Sequence, residues 1–349
     1  MPKRVKETLT GKDGVQGLDD RAHKERKAFF IHLVNEKREE ELIKLAGEAW
    51  EKTIKAWPNK KEIVLYDEAK KVLCQAACEW VGVPDPLPAD QIKKAADALG
   101  NMIFGFGRIG WTHWKGRISR NQLEASLKDT IEGIRNKRIT VKSGTILEEV
   151  SQYREANGNL LEAQVAAVEL LNLIRPIVAI AVYITFMAVA LYENPAYQVK
   201  LALDDHGDKE RFNEEVRRYY PFAPFIGAKV KKNFIWRGYA FKKGTLVLLD
   251  LYGTNHDERL WETPYKFNPD RYKKEKKTLY NFMPQGGGSI KGHRCVGERI
   301  TMAMMNLALD VVVNKISYEL PPQDLSYSMS KIPTLPESGV IMKHVKIKQ

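Results

Sequence analysis

Residues 281–313 run NFMPQGGGSIKGHRCVGERITMAMMNLALDVVV. Gly286, Gly287 and Gly288 give the backbone freedom that includes positive φ. Gly292 and Gly297 bracket His293, Arg294 and Cys295 closely, a spacing that suits a chain lying flat against something broad and rigid. From Glu298 onward the sequence is apolar on most helical faces, which predicts a buried helix. Cys295 then stands at a helix N-terminus, where partly positive N–H groups favour a thiolate, with His293 and Arg294 as basic neighbours. The competing reading is a glycine loop before a core helix that carries an incidental buried cysteine, because free cysteine is often buried.

Working outward, the chain has 349 residues and three cysteines, Cys74, Cys78 and Cys295. These form no disulfide framework, and a reducing, cytoplasmic setting is expected. Cys74 and Cys78 lie four apart, on one face of a helix, and without a second ligand pair they read as core rather than zinc ligands. The net charge of +12 comes from dispersed lysines without a basic block. It predicts a solvated surface and no nucleic-acid partner. The opening MPKRVKETLTGKDG lacks an apolar signal core.

The apolar run Pro176–Tyr192 is 17 residues long, at the lower edge of membrane-spanning length. Together with the preceding LLEAQVAAVELLNLI it predicts one long central helix of a soluble protein, and no membrane span. Helical patterns fill most of residues 20–195, with a loop at Pro84, Pro86 and Pro88. From residue 228 short β-rich runs predict a small sheet. The fold class is therefore mainly α with a small β portion. We expect a single domain over 1–349, helical to about 222, then sheet, meander and glycine loop to 297. A final core helix and C-terminal hairpin occupy 298–349.

With that order in view, GHRCVGE after FMPQGGG resembles the haem-thiolate loop of cytochromes P450. Glu215 and Arg218 resemble the Glu-x-x-Arg pair of the family, and Arg271 in FNPDRY resembles the meander arginine that completes its ion-pair triad. His23, Arg26 and Lys27 resemble the group that contacts haem propionates, and His293 keeps the basic position two before the cysteine. The resemblance implies haem b with Cys295 as the axial ligand of the iron. Two features depart from the general pattern. Phe282 stands thirteen residues before Cys295, so the loop is expanded. The central helix carries Arg175 and Pro176 where oxygen-activating members carry an acid–threonine pair, and Thr185, ten residues on, is nearly three turns away.

Arg-Pro at this place is similar to the bacterial fatty-acid peroxygenase branch. It implies that Arg175 holds the carboxylate of a long-chain fatty acid, and that this carboxylate serves as acid–base for hydrogen peroxide, with Pro176 bending the helix. The alternative for Arg175 is a structural pair with Glu169 or with a propionate. Hydroxylation at the alpha and beta carbons is implied, with no flavin, nicotinamide or obligatory redox partner, in a monomer. Gln16 stands where alkene-forming relatives carry histidine, which favours hydroxylation over decarboxylation. Thr10 stands where beta-selective relatives carry a bulky aromatic. Ile109, Phe222 and Ala223 are the expected lining of an alkyl tunnel. Family chains begin several dozen residues earlier, so the fold is expected to lack its N-terminal helix and first strands and to expose sheet edges. A reductase-dependent monooxygenase, or a non-catalytic remnant that binds haem or fatty acid, are the competing functions.

Overall fold

The computed structural model describes residues 3–84, 87–203 and 207–348; Pro86, one of the three loop prolines, lies outside them. Five long helices come first: Asp20–Leu33, Glu36–Ile54, Leu65–Val81, Ala89–Gly105 and Trp111–Arg135. Their ends follow local chemistry. Asn35 caps the second helix by accepting from the Arg38 N–H at 3.1 Å. Gly82, at φ +85°, closes the third, and a Cβ there would lie 2.6 Å from that of Thr145.

The apolar run found in the sequence forms the centre. Ala163–Glu193 is long and apolar enough to cross a membrane, yet 94% of its most apolar window is buried inside the fold. Two segments, Ala163–Ala179 and Ala181–Glu193, meet at Ile180 within the long central helix that was expected to bend at Pro176. Pro176 has no N–H for the Asn172 carbonyl, and the Ile180 N–H closes a tighter turn onto Ile177 O at 3.1 Å. The final helix, Glu298–Asp310, packs against Glu36–Ile54, the central run and the helix Asp208–Tyr219.

The β portion is small. Strands β1 (Glu62–Val64), β6 (Ile316–Glu319) and β7 (Ile341–Ile347) form one antiparallel sheet in the order β1-β7-β6. Strand β2 (Phe225–Lys229) pairs with β5 (Leu246–Asp250), and β3 (Phe234–Trp236) with β4 (Tyr239–Phe241). Arg237 and Gly238, both at positive φ, turn the β3–β4 hairpin. Phe225, Ile226, Ile235, Leu246 and Leu248 are exposed on these two ribbons. The C-terminal stretch differs from a simple hairpin. Residues 326–330 are held by local serine contacts rather than a ladder, and β7 pairs across to β6 and β1.

Helix Asp208–Tyr219 meets the meander through a buried carboxylate. Glu215 accepts from Arg218 at 2.8 and 2.9 Å, from Arg271 Nε at 3.1 Å and from the Asn268 N–H at 2.9 Å. All three charged side chains are buried, and Arg218 and Arg271 lie over the Trp261 ring. Glu215→Ala leaves two buried guanidinium groups without their shared anion. The expected loss is about 3–5 kcal/mol of unfolding free energy, measured by urea titration; a loss below about 1 kcal/mol, the scale of a surface pair, would refute the triad as a structural clamp.

Candidate active site

The central helix and the glycine loop enclose a cavity of about 340 Å³. Cys295, Arg175, Pro176, Gln16, His23, Lys27, His293, Phe222 and Ala223 all line it. The loop is shaped by Gly286 and Gly288, at φ +94° and +78°, and by Gly287, where a Cβ would sit 2.4 Å from Met283 Sδ. A Cβ on Gly297, by contrast, would meet nothing within 4 Å, so the chain beside Cys295 leaves open space.

Cys295 precedes the Gly297 N-cap of the final helix by two residues. Burial pushes its thiol up, against the weaker opposing pull of the Gly297 N–H, Lys27 and Arg217. Desolvation thus outweighs the helix terminus that the sequence pointed to. A metal cation at the sulfur would supply the missing counter-charge and hold it as thiolate. The Gln285 side chain, which sequence reasoning passed over, lies 3.6 Å from Cys295 Sγ through its Nε2.

A cationic rim borders the floor. His23 and His293 rings lie 4.0 Å apart, tilted by 34°. Lys27 donates to the Arg294 carbonyl at 2.8 Å. Burial holds the ammonium of Lys27 and the imidazole of His23 below their ordinary ranges, the latter helped by His293 and Lys27. Arg26, expected beside them, is committed elsewhere. Its guanidinium binds Glu169 at 2.7 Å and Glu155 at 2.9 Å, tying its helix to the central run, and it does not line the cavity.

Arg175, on the central helix, is buried, and its Nε has no hydrogen-bond partner. No ion pair involves it among the described residues, and Glu169, the alternative partner, is occupied by Arg26 and the Val15 N–H. Burial, and after it Arg120, push its guanidinium down to about 9, so it stays cationic at neutral pH. Asn172, one turn earlier, donates to the Gln16 side chain at 3.0 Å and to the Thr10 carbonyl at 2.9 Å. These bonds tie down the segment whose Val15 and Gln16 line the cavity. Thr185 donates back to the Ala181 carbonyl at 2.8 Å and does not line the cavity.

Phe222 stacks on Tyr183 at 5.1 Å within the apolar wall. Ile109 is not part of that wall: it is 86% exposed, in the turn between Ala89–Gly105 and Trp111–Arg135. The site therefore has one sulfur, apolar walls, a basic rim and an unpaired guanidinium. That donor set fits a flat, anionic, metal-centred group such as haem with an acidic ligand above it.

The family model of cytochrome P450 matches residues 211–347. Cytochrome P450 3A15 of Cavia porcellus is 39% identical over 101 residues, 28% of this chain and 19% of that protein, so the match spans about a fifth of that curated relative. A mutant of cytochrome P450SP alpha superposes with a TM-score of 0.95 at 41% identity, covering 100% of this chain and 85% of that one. Wild-type cytochrome P450EX alpha with myristic acid gives 0.93 at 39% identity, covering 100% and 84%. With this agreement over the whole chain, the protein belongs to the cytochrome P450 family, in the branch that holds P450SP alpha and P450EX alpha.

Proposed function

We propose that the protein is a haem-thiolate peroxygenase that hydroxylates long-chain fatty acids at the alpha and beta carbons with hydrogen peroxide. The observation that carries this reading is Arg175, a buried cation without an anion, lining the same cavity as Cys295. A fatty-acid carboxylate is the anion such a site would take, since its two oxygens match the guanidinium fork. The myristic acid bound by P450EX alpha supports the choice of ligand.

Haem bound through the Cys295 thiolate would supply the oxidising chemistry, because thiolate donation favours O–O cleavage. His23, Lys27 and His293 would meet its propionates. Arg175 would fix the carboxylate end of the substrate, which puts the alpha and beta carbons nearest the reacting oxygen. The held carboxylate would move the peroxide proton from one oxygen to the other, help worth about 10²–10⁴-fold in rate. Gln16, bonded to Asn172, cannot titrate and so adds no proton of its own. Tyr183, Phe222 and Ile177 would exclude water from the alkyl chain. This chemistry needs no redox partner, and a cytoplasmic monomer fits it.

The test is turnover of myristic acid by purified holoprotein with hydrogen peroxide alone, products being resolved by chromatography. Alpha- and beta-hydroxy acids are expected without any reductase. Turnover that appears only when a reductase and NADPH are added would refute peroxide use in favour of a monooxygenase.

A further inference from the structure

A part-buried chain of polar side chains ends on the Cys295 sulfur. Gln285 Nε2 lies 3.6 Å from Cys295 Sγ and 3.0 Å from Thr301 Oγ1. Its Oε1 accepts from Arg217 Nη2 at 2.7 Å. A guanidinium only donates, so the amide oxygen must face Arg217 and the NH₂ end must face the sulfur. Thr301 spends its own hydroxyl proton on the Gly297 carbonyl at 3.0 Å, which leaves its oxygen to accept from the amide. Arg217 is buried and is fixed in turn by Glu298 at 2.6 Å, whose other oxygen accepts from Arg294 at 2.9 Å. Every rotamer in the chain is therefore set by a neighbour.

We propose that Gln285 is a positioning residue for the axial sulfur: its side-chain N–H donates to the Cys295 thiolate, draws charge from it and raises the ferric/ferrous potential of the bound haem. Hydrogen bonds to ligand sulfur lower its donation to the metal and favour the reduced state. The inference rests on Cys295 as the iron ligand and not on the choice of substrate or oxidant.

The test uses substrate-free holoprotein: wild type, Gln285→Leu and Gln285→Glu. Potentials are read by spectroelectrochemistry and the Fe–S stretch by resonance Raman. Both variants should shift the ferric/ferrous equilibrium about tenfold toward ferric, a fall of about 59 mV for one electron, and raise the Fe–S frequency. Gln285→Glu keeps the volume and the contact with Arg217, so it decides the matter if Gln285→Leu fails to load haem. Unchanged potential and Fe–S frequency in a haem-loaded variant would overturn the proposal. Absence of any Fe–S stretch in the wild type would overturn it too, by removing the thiolate ligand on which it depends.

Discussion

Arg175→Ala should abolish peroxide-driven turnover of fatty acid while leaving haem bound and thiolate-ligated. Two losses combine. The carboxylate loses its anchor, so the reactive carbons are no longer held in place, and the acid–base help of that carboxylate goes with it. The second alone is worth about 10²–10⁴-fold in kcat/KM. The variant should not be less stable than the wild type, because an unpaired buried guanidinium costs free energy that alanine does not. That expectation separates the functional role from its rivals. In the structure Glu169 pairs with Arg26 at 2.7 Å and not with Arg175. If Arg175 instead held a propionate, the alanine variant would lose haem, visible as a fall in the Soret-to-protein absorbance ratio. Normal turnover with full haem content would defeat the carboxylate anchor outright.

The outline of this fold is legible because its decisive signals are local. GGG, the cysteine and the following apolar helix sit in one stretch, and the apolar run that begins at Pro176 continues the helical period of the segment before it. Other placements needed three dimensions. His23, Arg26 and Lys27 are neighbours in sequence, but at about 100° per residue Lys27 falls about 40° to one side of His23 and Arg26 about 60° to the other. Lys27 thus turns to the cavity and Arg26 to Glu169 and Glu155. Ile109 is apolar, yet it occupies a turn whose exposure no periodicity reports. Gln285 is the clearest omission. A neutral amide among glycines carries no signal until Arg217, from a helix some 68 positions earlier, fixes which end faces the sulfur. Cys295 was singled out for the helix terminus beside it; in the structure burial acts against that terminus and pushes the thiol up.

Cys295→Ala should eliminate the thiolate-type carbon-monoxide difference spectrum of the reduced protein, with no compensating ligand. Cys74 and Cys78 are buried in the helix Leu65–Val81, and neither lines the cavity, so neither can take over. The loop itself should persist. It is held by Gly288 N–H to Leu279 O at 2.8 Å, by Cys295 N–H to Gln285 O at 3.3 Å and by Lys27 to Arg294 O at 2.8 Å. None of these contacts uses the sulfur. Of the sulfur's own partners, the Gln285 NH₂ keeps Thr301 while its oxygen keeps Arg217, and the Gly297 N–H loses its acceptor, each loss being on the scale of one hydrogen bond, about 0.5–1.5 kcal/mol. A folded variant with unchanged near-ultraviolet circular dichroism and no thiolate spectrum is therefore the expected pair of results. A thiolate spectrum that survives the substitution would remove Cys295 from the iron, and Gln285 and Arg217 would then be bracing an ordinary, partly buried thiol.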